Sequence, residues 1–356
     1  MKTSLIILAA GMGTRMNSEM PKVLHAIAGD PMLVHAMAAG AMLEPEHTIV
    51  VAGHGAEAVT AAAHAYDETA TVVLQTEQLG TAHAVDQARE ALDGFDGTAI
   101  VLYGDTPFVS PDPGRYGRLV MQGDTLERIV EFKEATEAER AITLCNSGVI
   151  ACNAPLLFDL ISAVENNNAS AEYYLTDIIG LARARGLTAT AVTCDEAETL
   201  GVNSRAQLAQ AEAAFQARAR AILLEDGVTL QAPETVYLAR DTIIGRDTVV
   251  EPNVVFGPGV TVESGALIRA FSHLEGCHVS RGAVVGPYAR LRPGAELEEN
   301  TRVGNFCEVK NAVIAEGAKV NHLSYIGDAF VGARANIGAG TITCNYDGVM
   351  KHHTHI

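Results

Sequence analysis

Beyond Gly227, apolar residues return at every sixth position: Ile244, Val250, Phe256, Val262 and Ile268, then in a restored phase Val279, Val285, Leu291, Leu297, Val303 and Val309. Glycine, asparagine or proline often follows them. An α-helix repeats near 3.6 residues and a half-buried strand at 2, so neither produces this spacing. A sustained six-residue period with turn residues between short strands is the signature of a parallel β-helix, whose coils bury apolar residues only against the coils above and below. The register slips near Ile314 and again at Val331, where a coil is expected to shorten or to carry a loop. Residues 227–356 are therefore assigned to a solenoid.

The first half has a different texture. Ser4–Ala9, Thr48–Ala52, Thr71–Leu74 and Ala99–Tyr103 read as strands, with Pro31–Met42 and Thr81–Ala91 as crossover helices. Alternation of this kind builds a largely parallel sheet of the α/β class. Ligands on such sheets sit beyond the carboxyl ends of the strands, which brings the loops after Ala9, Leu74 and Tyr103 to one crevice. QLAQAEAAFQARARAILL (207–224) has strong helix formers and almost no breakers, and reads as one long connecting helix. The expected organisation is an α/β domain over 1–204, a linker helix over 205–226 and the solenoid over 227–356.

A formal charge of −18 argues against nucleic acid or an anionic membrane as the main partner. It also means that any phosphorylated substrate must be met by a local cluster of cations. The six cysteines (Cys145, Cys152, Cys194, Cys277, Cys307, Cys344) include no CxxC pair, which suits reduced thiols in the cytoplasm better than disulfides or a zinc site. MKTSLIILAA resembles a short signal peptide, but its apolar run leads into a glycine-rich turn and reads as a buried first strand. No segment is long enough to span a membrane.

LAAGMGTRM (8–16) follows that strand, and Pro21-Lys22 comes soon after. Gly11 and Gly13 let backbone N–H groups approach an anion, and Arg15 and Lys22 supply the positive charge the chain otherwise lacks. A dinucleotide site fits poorly: no third glycine stands in register, and the second strand ends at Gly53 rather than at an acidic ribose partner. A Walker P-loop is absent.

Together, LAAGMGTRM and PKVLH resemble the fingerprint of the sugar-nucleotide pyrophosphorylases. Further motifs narrow the resemblance to the bifunctional GlmU family, in which an N-acetylglucosamine-1-phosphate uridyltransferase is joined to a glucosamine-1-phosphate acetyltransferase. These are QTEQLGTAHA, LYGDTP, YGR, IVEFKEA, NNNASAEYYLTDII and GVNSR in the first half. ARLRPGAEL, VGNFCEVKNA, NHLSYIGDA and NIGAGTITCNYDG follow in the second. The resemblance implies a Rossmann-like nucleotidyltransferase domain, a linking helix and a left-handed parallel β-helix of hexapeptide repeats. It implies UTP and N-acetylglucosamine 1-phosphate as substrates, Mg2+ as cofactor, acetyl-CoA and glucosamine 1-phosphate for the second reaction, and a homotrimer.

By the same resemblance, the backbone of Leu8, Ala9, Ala10 and Gly11 with Gln75, Gly80 and Thr81 would hold uridine. Arg15 and Lys22 would meet the phosphates, and Asp105 and Asn203 would hold the metal. Gly117, Glu131 and Asn146 would recognise the acetylated sugar, with Tyr103 and Gly104 lining the crevice. In the solenoid His322 would be the base, a role that suits a near-neutral pKa because the attacking amine must lose a proton. Arg292 and Lys310 would bind the sugar phosphate, Tyr325 and Asn336 the sugar, and Ala339, Asn345 and Tyr346 substrate or coenzyme.

Each residue also has a plain structural reading. Asp105 could be a turn former, Asn203 a helix cap, Glu131 a solvated strand residue and Gln75 a surface amide. His322 could be an ordinary corner histidine, and Arg292 and Lys310 solvated charges. A pyrophosphorylase for another sugar or base, such as glucose 1-phosphate, and a non-catalytic scaffold subunit remain the alternatives; the NNNASAEYYLTDI and NHLSY motifs and the intact Arg15, Lys22, Asp105 and Asn203 weigh against them. One departure stands out. The stretch from Phe108 to Arg115 cannot form the helix and further strand that the resemblance puts there, which need about thirty residues. Either those residues are deleted or they are missing from the sequence as read; omission is favoured, because losing a sheet strand should cost more than a domain's marginal stability. The sequence also stops at KHHTHI, before later coils of the family, so acetyl transfer is expected to be weak.

Overall fold

A computed structural model describes residues 2–105, 116–193 and 201–356. The shortened stretch between Phe108 and Arg115, and Cys194, lie outside them. The chain divides into two compact units, Met1–Ala26 with Pro31–Ala211, and Ile27–Asp30 with Glu212–Ile356.

In the first unit β1 (Thr3–Ala9) is the centre of the sheet. It pairs in parallel with β2 (His47–Ala52) on one side and β4 (Thr98–Tyr103) on the other, and β3 (Thr71–Leu74) extends the sheet beyond β2. An antiparallel strand, β7 (Ile150–Asn153), pairs with β4. Strand order reverses between β1 and β4, and such a switch point opens a crevice at the strands' carboxyl ends. Leu5 to Ile7 on β1 are fully buried, as expected of a central strand covered on both faces. One face packs α1 (Met32–Ala41) and α2 (Ala56–Tyr66), the other α3 (Thr81–Asp86) and α4 (Ala154–Ile161). The second crossover helix is shorter than the sequence suggests: from Gln87 the backbone bonds run i to i−3, to Ala84, Val85 and Asp86, tightening the last turns. A hairpin, β5 (Arg118–Gln122) with β6 (Thr125–Val130), and α5 (Asp177–Ala184) also belong to the unit.

α6 (Arg205–Glu225) begins with Ser204, whose Oγ accepts the Gln207 backbone N–H while Gln207 Oε1 accepts that of Asn203. Its later turns belong to the second unit. There Glu212 accepts the Ala28 N–H at 2.7 Å, and Gln216 both donates to and accepts from the Leu238 backbone. Side chains at four-residue spacing thus satisfy backbone groups of the 27–30 segment and of the first coil.

The rest of the second unit is the solenoid. Short strands, most of two residues, stack in three columns, one of them running through Thr229, Val249, Leu267, Val284, Arg302, Lys319 and Asn336. The predicted six-residue ladder is buried from Ile244 to Val309. Leu274, Ile314 and Val331 are buried as well, and the steps from Leu274 to Val279, Val309 to Ile314 and Ile326 to Val331 are each one residue short. The slips at Ile314 and Val331 are therefore shortened coil corners, which set successive coils 17 rather than 18 residues apart, as in Glu308 against Tyr325 and Asn305 against His322.

Candidate active site

At the switch point β1 and β4 end beside each other. The Gly104 N–H donates to the Leu8 carbonyl at 3.0 Å, and a Cβ on Gly104 would lie 3.2 Å from that oxygen. Gly13 has φ 62 and packs against the Lys22 side chain, where a Cβ would come within 2.5 Å. The glycine-rich turn is thereby folded against the turn that carries Lys22.

Lys22 is the hub. Its Nζ forms an ion pair with Asp105 and donates to Asn203 Oδ1 at 3.0 Å; the same amide oxygen accepts from Arg15 Nη2 at 2.8 Å. Residues 15, 22, 105 and 203 are thus drawn to one point. Asp105 and Asn203 both present oxygen to a single cationic atom, so they are close enough to share a metal ion. Asn203 is not the cap of α6, since Ser204 fills that role. Asp105 is not merely a turn residue.

Beside this cluster lies a cavity of about 250 Å3 lined by Leu8, Ala10, Gly11, Lys22, Val23, Gln75, Gln78, Gly80, Thr81, Ala84, Tyr103, Asp105 and Glu172. Gln75 is buried, and its Nε2 donates to the Gly80 carbonyl at 3.1 Å and meets His83 Nδ1 at 3.0 Å, so it is no surface amide. Gly80 has φ 116, and a Cβ there would sit 2.5 Å from the Tyr173 carbonyl; only glycine fits. Thr81 Oγ1 accepts the Leu175 N–H at 2.9 Å. Burial pushes the Tyr103 phenol well above its ordinary range, with Glu131 and Asp105 adding to the rise against a lowering hydrogen bond from Thr81.

The residues expected at the sugar form a neighbouring group rather than part of this cavity. The Asn146 N–H donates to the Gly117 carbonyl at 2.9 Å, next to the end of β6, from which Glu131 projects. Thr176 donates to Glu131 at 3.0 Å. Burial raises the Glu131 carboxyl, the Thr176 bond pulls it back, and Asp177 and Glu172 add to the rise. It is not a solvated strand residue. Ala9 is buried inside β1, so only its backbone can serve a ligand.

Sequence reasoning missed His25. It is buried, its Nδ1 faces Arg205 Nη1 at 3.3 Å, and burial followed by the Arg205 charge lowers its pKa. It ties the Lys22 turn to the start of α6, next to Asn203. The signal was its place in PKVLH. Glu172 and Gln78 were missed as well, though both stand inside quoted motifs.

On the solenoid, His322 is exposed and its Nδ1 lies 3.1 Å from Asn305 Oδ1 on the coil below. Because an amide oxygen only accepts, it is an Nδ1–H that faces Asn305, and Nε2 is the ring nitrogen turned away from that contact. Arg292 is paired with Glu308 at 2.8 Å, which raises its pKa, so it is not simply a solvated charge. Lys310 is half-buried, one coil below Gly327. Asn345 Nδ2 lies 3.5 Å from the Tyr325 hydroxyl, while Asn336, Ala339 and Tyr346 are exposed. Asn305 went unread, yet it stands one 17-residue coil before His322.

Residues 5–125 match the MobA-like NTP transferase domain, and residues 241–276 match the bacterial transferase hexapeptide (six repeats). The bifunctional protein GlmU of Ruegeria pomeroyi is 73% identical and that of Roseobacter denitrificans 67% identical; each aligns over 379 residues, with all of this chain and 84% of the relative. That aligned span exceeds the 356 residues here, so the relatives carry residues that have no counterpart in this chain. A UDP-glucose pyrophosphorylase structure, in complex with UDP-glucose, superposes with a TM-score of 0.50 at 17% identity over 61% of this chain and all of its own, a likeness of fold. The chain belongs to the bifunctional GlmU family, in which a nucleotidyltransferase domain is joined to a hexapeptide-repeat acetyltransferase domain.

Proposed function

We propose that the first domain transfers uridylyl from UTP to N-acetylglucosamine 1-phosphate. A sugar phosphate oxygen forms a bond to the α-phosphorus, the bond to the β-phosphate oxygen breaks, and pyrophosphate leaves. Such a step needs in-line positioning and charge neutralisation rather than a covalent nucleophile. The observation that carries this reading is the convergence of Arg15, Lys22, Asp105 and Asn203 at the sheet's switch point. Arg15 and Lys22 take the phosphates. The backbone of Leu8–Gly11 with Gln75, Gly80 and Thr81 seats uridine, and Gly117, Glu131 and Asn146 with Tyr103 meet the sugar.

Asp105 and Asn203 suit Mg2+. Both offer hard oxygen donors, and among the described residues no cluster of three His, Cys, Asp or Glu competes for the role. When bound, the ion would be held by Asp105 and Asn203 and would neutralise phosphate charge, while Lys22 and Arg15 would serve the phosphates.

In the second domain the amine of glucosamine 1-phosphate attacks the acetyl thioester of acetyl-CoA, His322 Nε2 takes the amine proton, and the coenzyme leaves as its thiol. Arg292 and Lys310 hold the sugar phosphate, Tyr325 and Asn336 the sugar, and Ala339, Asn345 and Tyr346 line the acyl-transfer site. An exposed stacked column, Phe271 on Tyr288 at 4.9 Å and Tyr288 on Phe306 at 5.4 Å, supports self-association, as in a homotrimer. A cytoplasmic location accords with the free cysteines and with the lack, among the described residues, of a helix long and apolar enough to cross a membrane. Pyrophosphate release from UTP, N-acetylglucosamine 1-phosphate and Mg2+ tests the first reading. Equal rates with glucose 1-phosphate, or with another nucleotide, would overturn its specificity.

A further inference from the structure

Asp328 has no role in the scheme above, yet few polar side chains of the solenoid are held so firmly. It is 6% exposed and sits in the left-handed region at φ 46. Two amides donate to it, Asn311 Nδ2 to Oδ1 and Asn345 Nδ2 to Oδ2. The three residues stand one short coil apart, so a single corner of the solenoid stacks Asn311, Asp328 and Asn345. One and two coils below Asn311, the same corner holds Gly294 and Gly276, also at positive φ. Asn311 and Asp328, like the glycines, are of types that tolerate a positive φ, and the shift from glycine to Asn and Asp adds side chains at the corner where Asn345 reaches the Tyr325 hydroxyl. The two amide bonds, with help from Lys351 and Lys310, hold the Asp328 carboxyl below its ordinary range, so it remains ionised.

An ionised carboxylate accepts hydrogen bonds and donates none. It can therefore bind only the NH2 end of Asn345, and the carbonyl end of that amide must turn the other way. We propose that Asp328 is a positioning residue that fixes the amide orientation of Asn345: the NH2 end is spent on Asp328 and on the Tyr325 hydroxyl at 3.5 Å, and the carbonyl oxygen is the end left to accept from glucosamine 1-phosphate. The proposal rests on the acetyl-transfer reading given above. It assigns Asp328 a function through Asn345 and no contact with substrate.

The test uses the full chain and two near-isosteric variants. Asp328→Asn can donate to the Asn345 carbonyl and so permits the flipped amide. The double variant Asp328→Asn with Asn345→Asp exchanges donor and acceptor: it keeps the pair, and leaves a second carboxylate oxygen facing the substrate as an acceptor. Calorimetric titration with glucosamine 1-phosphate should show roughly tenfold weaker binding by Asp328→Asn, the scale of one misdirected hydrogen bond, and recovery in the double variant. A purely structural role would restore thermal stability in the double variant without restoring affinity, and that result would overturn the proposal, as would unchanged affinity in Asp328→Asn. Side-chain amide NMR of Asn345 needs no substrate: slow proton exchange is expected in the parent and fast exchange in Asp328→Asn, and fast exchange in the parent refutes the orientation outright. A parent that holds the amide but binds no glucosamine 1-phosphate points instead to failure of the acetyl-transfer reading.

Discussion

Replacement of Lys22 by alanine should move two properties in opposite directions. In the free protein the Lys22 ammonium occupies the point where Asp105 and Asn203 converge, with side-chain exposures of 12% for Lys22 and 20% for Asp105. A metal ion held by Asp105 and Asn203, as proposed, would have to displace it. Two unit charges about 4 Å apart interact by about 4 kcal/mol at an effective dielectric of 20. Partial solvation and the mobility of the lysine stem leave about 1–3 kcal/mol as the competition, or a change of about 5–150-fold in affinity. Lys22→Ala should therefore bind divalent metal more tightly when nucleotide is absent, read by Mn2+ titration with paramagnetic resonance. On the proposed reading the same cation faces the phosphates in turnover, and losing one preorganised charge there should lower kcat about 10²–10³-fold, read as pyrophosphate release. Weaker metal binding in the variant would show that Lys22 supports the site rather than competing for it. Unchanged turnover would refute its role at the phosphates.

Two further perturbations test the surrounding structure. Glu131 has its pKa raised above the ordinary 4.5, chiefly by burial, so its contribution favours the fold at low pH and is lost as pH rises through the folded value. Glu131→Gln keeps an acceptor for Thr176 and should be the more stable protein at pH 8 but not at pH 4, while its KM for N-acetylglucosamine 1-phosphate rises; paired urea titrations at the two pH values check the sign. Gln216→Leu strands the buried N–H and C=O of Leu238 at about 1–3 kcal/mol each. A loss of about 2–5 kcal/mol in chemical denaturation is expected, and a change under 0.5 kcal/mol would show that water reaches the first coil.

Much of this architecture was readable because it is periodic. A solenoid repeats one local solution, so Val250 and Val303 report the same environment and the period survives in the letters. Even the shortened corners announced themselves at Ile314 and Val331 as slips of phase. The sheet was legible for a related reason: central strands such as β1 are continuous apolar runs, and β1 to β4 lie within a residue of the apolar runs that marked them. The antiparallel β7 and the β5–β6 hairpin were not read, since IACN and RLVMQ are short and carry no distinctive alternation. Their strand identity comes from what lies beside them.

The chain's letters alone settled which residue types were on hand: a glycine turn that can admit an anion, two cations in an acidic protein, and a histidine at a coil corner. They could not say which of these meet. Lys22 and Asn203 lie 181 positions apart, and the contact exists because parallel strands deliver their carboxyl ends to one edge while Ser204 starts a helix beside it. Asn305 under His322, and Asp328 between two asparagines, arise the same way, from coil length bringing 17-residue neighbours into register. Local pattern is encoded by adjacency along the backbone; chemistry between distant side chains is decided by packing, which no single stretch of sequence contains.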